Sequence, residues 1–162
     1  MAPSFAVTLL LAAGLSRPHV GDPAPAFKAQ TLEGQSVSAA KLRGQVTVVE
    51  FFASWCQPCK ESLSETLAIR DRLASRFSLM VVSVDSEIQP LKDFIAAHPL
   101  PAQAILVLDG DGSLARSFGE DRLPTTFFVD GHMIIRHINR GHGKGFRERA
   151  TRWLTDMLAA HP

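Results

Sequence analysis

Residues 48–59 read Val48-Val49-Glu50-Phe51-Phe52-Ala53-Ser54-Trp55-Cys56-Gln57-Pro58-Cys59. The apolar part of this stretch predicts a strand from about Gln45 to Ala53, and its apolarity on both faces is typical of a central parallel strand that is covered on both sides. The proline between the cysteines suits the first turn of a helix. Both cysteines of the chain therefore lie where a buried strand turns into a helix.

This position indicates redox chemistry for the two cysteines. The sulfur of Cys56 lies near unpaired backbone N–H groups and the positive end of the helix dipole, and both favour a thiolate over a thiol. Cys59 lies within the first turn, close enough to attack a mixed disulfide formed at Cys56. A zinc site needs further ligands, and the chain has no other cysteine. A structural disulfide is expected to join distant segments, because its stabilisation grows with loop length. We therefore favour thiol–disulfide exchange over both.

Length and composition are those of one small domain. The chain has 162 residues, of which 46% are hydrophobic, enough for a single core. The formal net charge of +1 gives no support to nucleic-acid binding. We accordingly expect no nucleic-acid partner.

The N-terminal residues resemble a targeting segment. Phe5 to Leu15 form an apolar run of the length found in signal peptides, too short to span a bilayer. We predict a signal peptide over residues 1–16, a folded domain over residues 17–162 and no stable membrane span. The expected location is periplasmic or otherwise extracytoplasmic.

The remaining pattern predicts alternating strands and helices in an α/β sandwich. A proline-rich linker or edge segment comes first, followed by a turn at Glu33-Gly34 and a short helical step at residues 39–42. The elements predicted after the first strand are a helix from Pro58 to about Phe77, a strand over Ser78–Val84, a helix from Pro90 to near His98, a strand over Ala104–Leu108, a short helix through Phe118, strands over Thr126–Val129 and Met133–Ile138 joined by a hairpin turn at Asp130-Gly131, and a final helix carrying Phe146 to Leu158.

Together, Trp55-Cys56-Gln57-Pro58-Cys59 and the later Leu123-Pro124-Thr125-Thr126 resemble the thioredoxin superfamily. Residues 21–27 and the extra helix and strand between Glu87 and Leu108 resemble its extracytoplasmic branch, the TlpA or ResA proteins. The match covers about residues 20–160. It implies a thioredoxin fold, which is a central mixed sheet with helices on both faces, here with a helix–strand insertion and an N-terminal extension.

The resemblance also implies an activity and a site. Cys56 attacks the disulfide of a partner protein and Cys59 resolves the mixed disulfide. Pro124 is a cis-proline whose loop receives the substrate backbone. The substrate-binding residues so implied are Trp55, Gln57, Pro58, Leu123, Pro124 and Thr125. The redox-active Cys56–Cys59 disulfide then needs no metal or organic cofactor, and electrons come from another dithiol protein. We expect a monomer that reduces or exchanges protein disulfides, in a role such as cytochrome c biogenesis.

Glu50 is the acid within the apolar strand. A buried carboxylate is costly, so we expect its pKa to rise and its side chain to serve proton transfer. Thioredoxins carry an acid at the same position, six residues before the first cysteine, which moves protons to and from the second. The alternative is an acid that reaches the sheet edge or pairs with a buried base. The chain also departs from the family pattern, because many TlpA and ResA relatives carry an acid where this chain has Ser62.

Gln57-Pro58 places no cation between the cysteines, which favours a reducing protein over a strong oxidant. Two other functions remain open. A peroxiredoxin-like peroxidase shares the proline-rich start but needs a Thr-x-x-Cys nucleophile, whereas Ser-x-Cys precedes this site. A non-catalytic chaperone or metal-escort module would use the fold without turnover. Residues 109–120 partly match a calcium-binding loop, but Leu114 occupies the position that requires glycine, so we do not expect calcium.

Overall fold

The computed structural model describes residues 17–160, so the predicted signal peptide lies outside the described residues. Twelve elements follow one another along this part of the chain. They are β1 (Lys28–Gln30), β2 (Ser36–Ser38), a 3-10 helix (Ala39–Leu42), β3 (Thr47–Phe52), α1 (Gln57–Arg72), β4 (Ser78–Ser83), α2 (Ile88–Ala97), β5 (Ile105–Leu108), α3 (Ser113–Ser117), β6 (Thr125–Val129), β7 (Ile135–Arg140) and α4 (Phe146–Ala160).

The main sheet has five strands in the order β5-β4-β3-β6-β7. The strands β3, β4 and β5 are parallel, whereas β6 and β7 run antiparallel to their neighbours, so the sheet is mixed as expected. All six residues of β3 are buried. The prediction of a central strand covered on both sides is therefore confirmed, as is the thioredoxin-like α/β fold.

Helices cover both faces of the sheet because successive side chains of a strand point to opposite faces. Val48 and Phe52 pack into a core with residues of α1, α2 and α4. Val49 and Phe51 pack into a second core with residues of α3 and of the N-terminal segment that contains β1 and β2. Glu50 shares the face of Val48 and Phe52, so its carboxyl group lies beneath α1.

The predicted helix–strand insertion is present as α2 and β5. The helix predicted to reach Phe77 ends earlier, at Arg72, because Ala74 and Ser75 adopt left-handed backbone conformations with φ of 51° and 57°. Phe77 is instead a buried residue that leads into β4.

The last hairpin is wider than the sequence predicted. Its second strand begins at Ile135 and not at Met133, because Met133 has a positive φ of 64° within the turn. The carboxylate of Asp130 accepts hydrogen bonds of 2.9 Å from the backbone N–H groups of His132 and Ile134, which stabilises this longer turn. The two short strands β1 and β2 were not predicted. They pair with each other on both sides of the expected turn at Glu33-Gly34.

Within residues 17–160, the structure contains no helix with the length and apolarity needed to cross a bilayer.

We predict that Leu154→Ala weakens the docking of α4 without changing the fold. Leu154 is fully buried in the core beneath α4, so the substitution removes apolar contacts and leaves a cavity. The expected loss in the free energy of unfolding is about 2–5 kcal/mol, measured by urea denaturation. Arg152→Ala, at an exposed position on the same helix, is the matched control and should change stability by about 0.5 kcal/mol or less.

Candidate active site

Cys56 and Cys59 form a disulfide at the start of α1. Cys56 is the N-cap residue of this helix, and its carbonyl oxygen accepts hydrogen bonds from the N–H groups of Cys59 and Lys60 at 3.1 and 3.3 Å. Its side chain caps no backbone N–H, and the first turn of α1 contains no acid. In the reduced protein, the free N–H groups and the helix dipole therefore both favour a Cys56 thiolate.

The two sulfurs differ in accessibility. Cys56 retains 7% of its accessible surface, whereas Cys59 retains none. An external disulfide can therefore reach Cys56 and not Cys59. This asymmetry fits the order of events expected from the sequence, in which Cys56 attacks first and Cys59 acts from within.

Asp85, a buried residue that no sequence motif singles out, anchors the segment before Cys56. The carboxylate of Asp85 accepts hydrogen bonds from the backbone N–H and the hydroxyl of Ser54, at 3.0 and 2.7 Å. It also accepts a bond of 2.5 Å from the hydroxyl of Ser83, the last residue of β4. Asp85 therefore ties the loop that carries the nucleophile to the end of the neighbouring strand.

A groove of about 790 Å³ opens beside the disulfide. Trp55, Cys56 and Pro58 line one side of it, and Leu123 and Ala115 lie among the residues that complete it. Trp55 is 72% exposed, an unusual position for a large aromatic side chain. The groove thus exposes an apolar surface next to the accessible sulfur.

The Leu123–Pro124 peptide bond is cis, as the resemblance implied. Pro124 and Thr125 are buried, and neither lines the groove. The Thr125 hydroxyl donates to the carbonyl of Arg122 at 2.8 Å, and the Pro124 carbonyl accepts from the N–H of Gly141 at 2.7 Å. These two residues anchor the loop. Leu123 is the loop residue that reaches the groove, together with Trp55, Gln57 and Pro58 from the expected set.

Glu50 is fully buried beneath α1. One carboxyl oxygen, Oε2, accepts a hydrogen bond of 2.7 Å from the Thr66 hydroxyl, whereas the other, Oε1, has no hydrogen-bond partner. Burial raises the pKa of Glu50 to about 7, against the lowering effects of Thr66 and Ser62. The Ser62 hydroxyl itself does not reach hydrogen-bond geometry.

The pairing of β3 with β6 places Thr126 directly opposite Glu50, on the same face of the sheet. The Thr126 hydroxyl is also buried without a partner. Glu50 therefore lies among hydroxyl groups and forms no ion pair within the described chain. The alternatives of an acid at the sheet edge or paired with a buried base are both wrong.

The rim of the groove is charged, which the sequence analysis missed. Arg116, Glu120, Asp121 and Arg122 line it. Burial raises the pKa of Glu120, the most enclosed of the four, against the lowering effect of hydrogen bonds with Arg122 and Thr125. These residues come from α3 and the loop after it, and no motif links them to the cysteines.

The acidic turn at residues 109–112 has a structural role. The carboxylate of Asp109 accepts hydrogen bonds from the backbone N–H groups of Leu114 and Ala115, at 2.9 and 2.8 Å, and so caps α3. Across residues 17–160, no group of three or more His, Cys, Asp or Glu side chains is arranged to hold a metal ion.

The sequence profile of the AhpC/TSA family matches residues 20–138. The chain belongs to the AhpC/TSA family. Among curated proteins it is similar to sporulation thiol-disulfide oxidoreductase A of Bacillus subtilis, with 32% identity over 108 residues that form 64% of each chain. It is also similar to thiol:disulfide interchange protein DsbE of Yersinia pestis, with 32% identity over 126 residues, 75% of this chain and 64% of that protein.

The chain is also similar to solved structures of proteins named StoA and DsbF. StoA from Bacillus subtilis superposes with a TM-score of 0.66 at 28% identity, covering 83% of this chain and 98% of the other. The structure of MTB DsbF in its mixed oxidized and reduced forms gives a TM-score of 0.71 at 25% identity, covering 81% and 94%. Proteins named ResA are also similar to this AhpC/TSA member, which confirms the expected resemblance. The chain spans about 64% of the length of several curated relatives, including the first.

We predict that Glu50→Gln changes stability in a pH-dependent way. The folded-state pKa of about 7 lies above the ordinary value of 4.5, so the folded protein holds this proton more tightly than the unfolded chain. The free energy of unfolding of the wild type should therefore fall by about 3 kcal/mol between pH 4.5 and pH 7, because residue 50 loses its proton in the unfolded chain while Glu50 keeps it in the folded protein.

Glutamine does not ionise. With the Cys56–Cys59 disulfide intact in both proteins, the free energy of unfolding of Glu50→Gln should therefore rise relative to that of the wild type over this pH interval. Urea denaturation of both proteins from pH 4 to pH 8 measures the difference. Asp71→Asn, at an exposed acidic position on α1, is the control and should track the wild type. A constant difference between Glu50→Gln and the wild type at all pH values would contradict a raised pKa for Glu50.

Proposed function

We propose that this protein is a thiol–disulfide oxidoreductase that reduces or exchanges disulfides in partner proteins. The observation that carries the proposal is the Cys56–Cys59 disulfide at the start of α1, with the more accessible sulfur at the side of an open apolar groove. The relatives named as thiol-disulfide oxidoreductases and interchange proteins support the same activity.

The reaction begins from the reduced protein. The Cys56 thiolate attacks one sulfur of a partner disulfide, the partner S–S bond breaks, and the displaced sulfur leaves as a thiolate that takes up a proton. Cys59 then loses its proton and attacks the Cys56 sulfur of the mixed disulfide. The Cys56–Cys59 bond forms and the second partner sulfur leaves. Two electrons pass to the partner, and the protein is left oxidised, as it is in this structure.

Glu50 is the proposed acceptor of the Cys59 proton. Both groups are fully buried on the same side of the sheet, beneath or within α1. A carboxyl group with a pKa of about 7 exists in both protonation states near neutral pH, as a general acid–base group requires. The unpartnered oxygen Oε1 leaves Glu50 free to accept another hydrogen bond.

The groove is the proposed binding site for the partner segment around the disulfide. An extended chain can pair with the backbone of Leu123, since neither its N–H nor its C=O takes part in the backbone hydrogen bonds of the described residues. Trp55 and Pro58 offer apolar contact on the other side. Gln57 also lines the groove and is exposed. In this proposal Pro124 and Thr125 do not contact the partner, and they hold the loop that carries Leu123 in position.

The remaining partners follow from the same chemistry. A second dithiol protein reduces the Cys56–Cys59 disulfide after each turnover, and the redox-active disulfide is the only redox group required. We propose that the protein acts as a monomer outside the cytoplasm, in the periplasm or an equivalent compartment, with the signal peptide over residues 1–16 directing export. Among cellular processes, the resemblance to the TlpA and ResA proteins favours a role in cytochrome c biogenesis.

We predict that the wild type catalyses insulin reduction by dithiothreitol and that Cys56→Ser abolishes it. The reason is that serine cannot form the mixed disulfide with insulin. Turbidity of precipitating insulin chains measures the rate. Ser64→Ala, at an exposed position of α1 outside the groove, is the control and should retain full activity. Equal activity of Cys56→Ser and wild type would contradict the proposal.

The same preparations distinguish the other functions. Cys59→Ser should stall with a partner bound through Cys56, and non-reducing gels should show this adduct. A peroxidase would instead consume hydrogen peroxide at a rate that depends on Cys56. A non-catalytic module would bind clients in the Cys56→Ser form as well as in the wild type.

We further predict that Glu50→Gln slows resolution of the mixed disulfide at least about tenfold at pH 7, because a positioned base contributes about 10²-fold or more. The wild-type rate should rise with pH through an inflection near 7, and the variant should lose that inflection. Stopped-flow mixing of the reduced protein with a chromogenic disulfide, from pH 6 to pH 9, measures both. An identical inflection in Glu50→Gln would assign the proton transfer to another group.

A further inference from the structure

The buried face of α1 carries a charge where its pattern calls for an apolar side chain. The buried residues of this helix are Cys59, Ser62, Leu63, Thr66, Ile69 and Arg70. Their spacing is that of a single stripe facing the core. Arg70 is the last member of the stripe and retains 4% of its accessible surface.

Arg70 has no partner in the described part of the chain. Its Nε is buried without a hydrogen bond, and none of the hydrogen bonds or ion pairs formed by residues 17–160 involves its guanidinium group. Glu50 faces the same helix but is bonded to Thr66, and no cation contributes to its pKa. The buried acid therefore does not neutralise the buried base.

The C-terminal end of α1 does not compensate for this burial. A cation in the last turn of a helix gains from the helix dipole, but the gain is far smaller than the cost of removing a guanidinium group from water. Arg72, also in the last turn, is exposed and has that benefit at no such cost. An unpaired Arg70 is thus a destabilising feature unless a group outside the described residues pairs with it.

Arg70 lines a cavity of about 500 Å³ that is polar and basic. Its other polar side chains are Gln45, Ser75, Arg76, Ser78 and Gln103. The described residues that line it include no aspartate or glutamate. The Ser78 hydroxyl donates to Oε1 of Gln45, so the amide end of Gln45 that can donate remains available.

The cavity lies far from the disulfide. It adjoins the N-terminal ends of β3 and β4, whereas Cys56 follows the C-terminal end of β3. Along the axis of α1, the distance from Cys59 to Arg70 is about 16 Å at 1.5 Å per residue. The cavity therefore belongs to a second region of the molecule, separate from the groove.

We propose that this cavity binds a small ligand through its phosphate group, with the oxyanion held between Arg70 and Arg76. A guanidinium group offers paired N–H donors that match the oxygens of a phosphate, and a buried one loses little further freedom on binding. Arg76 is exposed and supplies a second positive charge at the mouth. The volume of the cavity leaves room for an organic substituent on the phosphate.

Thermal unfolding of the full chain, titrated with inorganic phosphate in the low millimolar range against sodium chloride of equal ionic strength, tests this proposal. We expect a saturable rise in Tm of about 3 °C or more at ten times the half-saturating concentration. Arg70→Met should weaken binding at least about tenfold. The same variant should have a higher Tm than the wild type when phosphate is absent, because it removes an unpaired buried charge.

Arg72→Met removes one charge from the exposed side of the same helix turn and should leave the phosphate response unchanged. Arg76→Ala changes an exposed residue and should leave the fold intact. It should weaken phosphate binding about tenfold. If Arg70→Met fails to fold, the result for Arg76→Ala tests the proposal in its place. A parallel titration with glycerol phosphate shows whether an esterified phosphate binds more tightly than the free ion. The proposal is overturned if phosphate has no more effect than chloride, if Arg70→Met responds like the wild type, or if Arg70→Met has a lower Tm in phosphate-free buffer. Insulin reduction should be equal in all three variants, whichever way the phosphate titration turns out.

Discussion

The complete burial of β3 is the constraint on which the rest of this structure depends. The strand lies between β4 and β6 and has a core on each face, so its position and register are determined along its whole length. Cys56 comes four residues after its end, and the hydrogen bonds of Ser54 with Asp85 hold the intervening segment to β4. The reactive sulfur is therefore positioned by a rigid scaffold, although it stands in a short connection. This arrangement leaves part of Cys56 accessible from the groove while Cys59, within the first turn of α1, is completely buried.

The same burial determines what Glu50 can do. A register shift of one residue would move the carboxyl group to the opposite face, away from α1 and the cysteines. In the observed register it faces Thr66 and lies opposite Thr126, among hydroxyl groups, and no cation of residues 17–160 contributes to its pKa. Hydroxyl groups can serve either protonation state of the carboxyl, whereas an ion pair would fix the charged one. The sequence position of Glu50 and its surroundings thus agree on a group that changes protonation near neutral pH.

The sequence predicted the parts of the molecule that depend on local pattern. The apolar run before Cys56, the proline within the first turn and the alternation of later elements were enough for β3, α1 and the succession of the later strands and helices, whereas the mixed sheet was implied by the family resemblance. The ends of elements were less predictable, since the left-handed residues Ala74 and Ser75 have no signature of their own in the sequence. Asp85 and the charged rim of the groove were missed for another reason. Those side chains meet the cysteines only through the packing of β4 and α3 against the central strand, and no spacing along the chain records that contact.

Two buried ionisable groups lie near opposite ends of α1, and they differ in how the protein can tolerate their burial. Near its first turn, the helix covers Glu50, whose cost of burial is reduced because the acid can hold a proton. Near its last turn, Arg70 cannot reduce the cost of its burial in this way, because a guanidinium group does not become neutral in a folded protein. An acid in the core can therefore be stable without a partner, whereas a buried arginine requires one. That difference is the physical reason for assigning Glu50 to proton transfer within the protein and Arg70 to an anion that comes from outside it.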